Sequence, residues 1–158
     1  MRRKDRERDV AFAKAVMDRC THGTVAISTG TDTPYCLPLS VVRVDNCLYF
    51  HCAREGRKVD LLRKNPRVCV SFVDTDTPTV VPPAMFTTYF RSAIATGTAF
   101  EVTDEEEKIE ALRALCQRMT PEGMTGDLFD RAIQASLHLT CVWRIDMDQI
   151  TGKEKAMK

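Results

Sequence analysis

No two cysteines in this chain stand at CxxC spacing, no apolar run exceeds the length of a strand, and neither sign of charge dominates. Each shortage removes a class of function. The seven cysteines, Cys20, Cys36, Cys47, Cys52, Cys69, Cys116 and Cys141, lack the clustered spacing of a zinc or dithiol site. An odd, dispersed set reads as free thiols packed as small hydrophobes in a reducing cytoplasm, and no metal site is expected. Strand-sized apolar runs exclude a membrane-spanning helix. The opening residues lack the apolar stretch of a secretory signal, so a cytoplasmic location is expected.

Lys and Arg number 23 against 22 Asp and Glu, a formal net charge of +1 that offers no broad basic surface to nucleic acid. The basic cluster Arg2, Arg3, Lys4, Arg6 and Arg8 is interrupted by Asp5, Glu7 and Asp9, and reads as a solvated face. Aromatic residues make up only 7% of the chain. The single tryptophan, Trp143, sits in an apolar strand-like segment, which suits core or interface better than ring stacking.

What is present fits one domain of 158 residues, long enough to bury a core without staples. Apolar spacing predicts a helix from about Asp5 to Cys20. Strands are expected over Thr24–Thr29, from Tyr35 to about Val44, and over Cys47–Ala53, with Asp45-Asn46 as a hairpin turn. A helix opened by Gly56 ends at Asn65-Pro66, and Arg67–Val73 is the next strand. Asp74 to Pro83 reads as a polar excursion. Phe86–Val102 reads as one long strand or a bent pair, with Gly97 as a bulge. Thr103 and Glu106 suggest a capping box for a helix reaching Met119, and a short helix follows over Asp127–Ser136. His138 to Ile150 would be the last strand and Gly152 to Lys155 a frayed tail. About six strands joined mostly by short turns predict a small antiparallel barrel decorated by helices.

The chemistry concentrates in Leu48-Tyr49-Phe50-His51-Cys52-Ala53, which runs through a short loop into Gly56-Arg57-Lys58. Free backbone N–H groups and the positive dipole end of a helix favour an anion there, so Arg57 and Lys58 make sense if an external phosphate supplies the negative charge. An ordinary exposed helix start is the alternative. His51 shares a strand face with Tyr49 and Ala53, opposite Leu48, Phe50 and Cys52. It could be a structural residue, or donate a hydrogen bond or proton near the phosphate. Pro38 interrupts Cys36-Leu37-Pro38-Leu39-Ser40, marking either an edge strand or backbone left free for a ligand. Arg91 and Ser92 on a later strand could reach a phosphate or a ribityl chain, or simply be surface residues.

In this order, the segments resemble the flavin-binding split-barrel superfamily that includes pyridoxamine 5′-phosphate oxidase, and within it the nitroimidazole-resistance branch. The matching pieces are Met1-Arg2-Arg3-Lys4-Asp5-Arg6, Pro38-Leu39-Ser40, Leu48 to Ala53 and Gly56-Arg57-Lys58. They continue with Asn65-Pro66-Arg67-Val68-Cys69, Tyr89 to Ile94 with Gly97, and Ile150-Thr151-Gly152-Lys153. The resemblance implies a mainly β, six-stranded antiparallel split β-barrel over residues 1–158, forming a homodimer with FMN at its interface. It implies Arg57 and Lys58 on the phosphate, and the backbone around Leu37, Pro38, Leu39 and Ser40 and around Phe50, His51 and Cys52 along the isoalloxazine. Arg91 and Ser92 would assist, His51 would lie near the flavin, and aromatic residues of the second copy would cover the ring. Cys52 stands where the branch often has a small residue. Nothing matches the substrate-binding C-terminal arginine and histidine of the true oxidases, so pyridoxamine phosphate is not the expected substrate.

The implied function is an FMN-dependent oxidoreductase acting on small nitroaromatic or related acceptors. The alternative is a split barrel that carries flavin or haem without turnover, with His22, His51 and His138 as the histidines available to ligate iron.

Overall fold

The computed structural model describes residues 2–157; Met1, which opens the first family-like motif, lies outside them. In chain order the elements are β1 (Glu7–Arg8), α1 (Val10–Arg19), β2 (His22–Ile27), β3 (Tyr35–Ser40), β4 (Val42–Val44), β5 (Cys47–Ala53) and α2 (Arg57–Lys64). They continue with β6 (Arg67–Val81), β7 (Ala84–Glu101), α3 (Glu105–Met119), α4 (Leu128–Ser136) and β8 (Thr140–Lys155). All strand pairs are antiparallel, in the order β3-β2-β6-β7-β8-β5-β4, with β1 added to β8.

The expected architecture, a mainly β antiparallel split barrel with helices, is therefore the observed one. The strand number differs: the described residues form eight strands rather than six, and no ladder closes the sheet between its ends. One extra strand comes from a break at Val41, which turns its side chain into the core at 3% exposure and so divides the expected Tyr35–Val44 strand. The other is the two-residue β1, in a stretch expected to be helical. Asp9 explains that difference, because its carboxylate accepts the Phe12 N–H at 2.8 Å and starts α1 at Val10 instead of Asp5.

Two further expectations are overturned. The polar stretch after Val73 is not an excursion but the outer half of a long β6–β7 hairpin, reversing at Pro82-Pro83. Alternating Thr and Asp residues (Thr75, Asp76, Thr77) keep an extended backbone there without any core to bury. The Gly152–Lys155 segment is not frayed, because β8 continues along β7, with Gly152 opposite Ala93 and Lys155 opposite Phe90.

Strand alternation places Val25, Ile27, Leu48, Phe50, Val70, Phe72 and Ile145 in the barrel interior, each at most 1% exposed. A second, smaller core lies on the other side of β5 and β8, where Ala111, Leu112 and Leu115 of α3 meet Phe129 of α4, with Val142 and Tyr49 against them. The cap of α3 is Asp104, not Thr103: its carboxylate accepts the Glu107 N–H at 2.8 Å. Asp104→Ala should cost about 1 kcal/mol in urea unfolding, whereas Thr103→Ala should stay within about 0.5 kcal/mol.

Gly97 does mark a bulge, for the β7–β8 register slips between Thr96 and Gly97. A Cβ on Gly97 would sit 2.2 Å from the Asp146 carbonyl oxygen. Gly97→Ala should therefore destabilise the protein by about 1–3 kcal/mol, read as a lower urea midpoint. An unchanged midpoint would mean that β8 does not press on β7 there.

Candidate functional site

The site grows from a gap in the sheet. β3 terminates the strand order, and β4 covers only Cys47 to Tyr49 of β5. From Phe50 to Ala53, β5 is paired on its β8 side alone. β3 and β5 thus lie side by side with no ladder between them. Backbone groups along this seam are open to water or to a ligand. Of the two readings of Pro38, the edge strand is the observed one, and the free backbone comes with it.

Alternation decides which side chains reach the outer face of the seam. Leu37 and Leu39 pack against the barrel core, Phe50 is 1% exposed within it, and Cys52 packs on it too. These four residues offer the seam their backbone. Pro38 and Ser40 are exposed, and His51 points the same way as Tyr49, away from the core. The pieces Leu37–Ser40 and Phe50–Cys52 lie near each other, with Ser40 and His51 lining one cavity.

At the other end of the seam, Gly56 has φ +120°, a region that L side chains rarely adopt, and no side chain caps α2. Arg57 and Lys58 occupy its first turn. The Arg57 guanidinium lies 4.7 Å from the Tyr35 ring centre, and the Lys58 ammonium 5.5 Å from that of Phe50. Neither forms an ion pair among the described residues. Arg8, Arg19, Arg43, Arg63, Arg67, Arg91, Arg113 and Arg144, by contrast, all face a carboxylate. Two adjacent cations without a counter-charge, at a helix start, fit a phosphate dianion.

Arg91 and Ser92 are not part of this cluster within one chain. Register links Tyr35 through Ile27 and Val68 to Gly97, and Arg91 lies six residues farther along β7. That is about 20 Å of strand. Arg91 is also committed elsewhere: Nη1 lies 3.5 Å from Asp74, Nε 3.7 Å from Glu154, and the group packs over Phe12 at 5.0 Å. The Ser92 hydroxyl donates to the Lys153 carbonyl at 3.5 Å.

The Ser40–His51 cavity has a volume of about 370 Å³ and is walled by α3 and α4, with Leu112, Leu115, Met119, Phe129 and Ile133 among its apolar lining. These wall residues were missed at the sequence level. Their apolar spacing is readable as an amphipathic helix, but not that part of the stripe borders a cavity as well as the small core. Tyr49 fixes α3 over β5, its hydroxyl donating to Glu107 at 3.0 Å, and Glu107 in turn holds Arg144 at 2.8 Å. Burial and that bond push the Tyr49 phenol up to about 12.

Burial of the His51 ring, and secondarily the Lys58 charge, lower its pKa from the usual 6.5. The unfolded chain then takes up the proton first on acidification, so this group's contribution to stability is lost as pH falls from 6.5 through the lowered value. Lys58→Ala should raise the His51 midpoint in an NMR titration without restoring 6.5, since burial, the larger cause, remains. A midpoint that does not move would show that the Lys58 charge fails to reach His51.

A split barrel with a phosphate-type corner and an open seam defines the class. Residues 9–154 match the family model for pyridoxamine 5′-phosphate oxidase, and the chain belongs to that family. No curated protein matches the sequence. A candidate 5-nitroimidazole antibiotic resistance protein of Bacteroides thetaiotaomicron is similar in structure, with TM-score 0.78 and 24% identity over 92% of this chain and 83% of that one. The flavocytochrome Anf3 of Azotobacter vinelandii gives TM-score 0.83 and 22% identity over 99% of this chain and 72% of that one. An FAD- and haem-binding protein of Mycobacterium smegmatis gives 0.78 and 20% over 94% and 72%. At these identities the likenesses establish the fold.

Proposed function

We propose that this protein is an FMN-dependent oxidoreductase of small nitroaromatic or related acceptors, working as a homodimer in the cytoplasm. The observation that carries the reading is the pairing of two cations lacking counter-charges, Arg57 and Lys58, with the unladdered β3–β5 seam. The phosphate would rest on Arg57 and Lys58. The seam backbone at Leu37–Ser40 and Phe50–Cys52 would meet the polar edge of the isoalloxazine. When bound, flavin would supply the electron transfer.

The lowered pKa of His51 favours its neutral form, which donates a hydrogen bond from one ring nitrogen while accepting at the other. His51 would orient the reducible group and pass on a proton rather than store one. Arg91 and Ser92 would reach the phosphate only across a dimer interface. Val80 at 73%, Met85 at 85% and Phe86 at 67% exposure, at the tip of the β6–β7 hairpin, support a second copy as the cover of that arm. Nitroreduction finds support in the likeness to the Bacteroides protein, and flavin itself in the flavin-binding neighbours.

The test is a visible spectrum of freshly purified protein, mass spectrometry of the released ligand, and turnover of a nitroimidazole with NADH or NADPH. A yellow protein releasing FMN is expected. The double variant Arg57→Ala/Lys58→Ala should lose about 3 kcal/mol or more of FMN affinity, since each charge-assisted contact contributes roughly 1.5–3 kcal/mol. Undiminished affinity would locate the phosphate elsewhere. The second reading, a haem carrier without turnover, rests on His51 lining a mostly apolar cavity, where it could hold the iron. A Soret band that disappears in His51→Ala would favour it.

A further inference from the structure

The seam is electrically divided. Arg57 lies at its Tyr35 end and Lys58 lies over Phe50, close enough for its charge to act on His51, while the cavity at its Ser40 end is lined by no Asp, Glu, Lys or Arg side chain. From the Arg57–Tyr35 contact to Ser40 is the length of β3, about 17 Å. A ligand gripped by its phosphate at the first end would present its far end to the cavity instead of filling it.

The cavity itself has the make-up of a small-molecule site. About 370 Å³ lies within the usual range for such sites, and the walls are mostly apolar, from Leu112, Leu115, Phe129 and Ile133. Thr120 and Ser136 add hydroxyls from the ends of the helices, and three further polar groups, Ser40, His51 and Thr140, come from the sheet. These three belong to different strands, β3, β5 and β8, so the sheet and not a loop holds them in place.

We infer that this α3–α4 cavity binds a neutral, largely apolar aromatic molecule of about bicyclic size through a hydrogen bond at the Ser40–His51 side, and rejects anions of the same shape. An anion entering here would shed its water without finding a cation in the lining to pair with, which is costly. The lowered His51 pKa agrees, because it favours the uncharged form of the histidine in the lining. That this molecule is the electron acceptor rests on the proposed flavin function; that it binds does not. Ala132, on the exposed side of α4, lines the cavity without belonging to either core, so it offers a way to fill the space.

The experiment is calorimetric titration of the purified protein with 1-naphthol and with 1-naphthoate, in the presence and absence of saturating FMN. 1-Naphthol should bind at least tenfold more tightly than 1-naphthoate, whether or not FMN is present. Ala132→Phe should weaken 1-naphthol at least tenfold while leaving the melting temperature and FMN uptake unchanged. If that variant folds poorly, Ala132→Leu should show the same loss in smaller measure. Arg57→Ala/Lys58→Ala should lose FMN and keep 1-naphthol. Equal affinity for the two probes overturns the inference, and so does indifference to both Ala132 variants. Competition between FMN and 1-naphthol overturns it too, for the cavity would then be the berth of the flavin ring. A wild-type protein that refuses FMN yet discriminates the probes leaves the cavity standing and removes the flavin function.

Discussion

The missing ladder between β3 and β5 is the constraint on which the rest of this molecule depends. Backbone amides in a folded protein are nearly all paired, and a strand edge left open invites either water or another chain. Here two edges face each other, and neither pairs. Pro38 on one side lacks an N–H and so blunts β3 as a template for a foreign strand. On the other side β4 stops opposite Tyr49, just before the residues that border the gap. The fold keeps a slot of free backbone and guards it against simple strand addition.

What surrounds the slot is rigid for reasons that can be named. Phe50 and Leu48 root β5 in the barrel core, and β8 pairs with it from Cys47 to Ala53. On the outer face, the Tyr49–Glu107–Arg144 chain of contacts fixes the start of α3, and the small core with Phe129 brings α4 alongside. The cavity is thus a by-product of two separately packed layers that diverge beyond Tyr49. Charges are sorted in the same way. Arginines that brace the structure face carboxylates, as Arg91 faces Asp74 and Glu154, while Arg57 and Lys58 lean on aromatic rings and keep their charge unspent.

Much of this was legible in the chain. β5 and the Gly56–Lys58 turn were readable because alternation is strict there and glycine, then Asn65-Pro66, punctuate the helix that follows. The start of the N-terminal helix is not legible locally, because what ends it early is the long-range pairing of β1 with β8 ahead of the Asp9 cap. The cap of α3 went to Thr103, with Asp104 one residue away and better aimed. The outer part of β6, from Asp74 onward, is not legible because it buries almost nothing, so periodicity carries no signal there, whereas the facing strand from Phe86 is readable. Arg91 shows the limit for the site: its neighbours in sequence say nothing of Asp74 and Glu154, which reach it from two other strands.

The division of the seam into a cationic end and a neutral end bears on orientation. A flat ligand with one dianionic tail has two ways to lie along a slot of this length, and backbone hydrogen bonds alone discriminate weakly between them. Arg57 favours the tail at the Tyr35 end, while the cavity without a charged lining residue disfavours it at the Ser40 end, so both terms act in the same direction. Under the proposed function, this is what would set His51 beside the reacting ring and not beside the phosphate. The same histidine that is hard to protonate near a bound cation would be easier to protonate once a phosphate screened Lys58. Filling the cationic end would thereby tune the proton affinity at the neutral end, through a single charge and without any movement of the barrel.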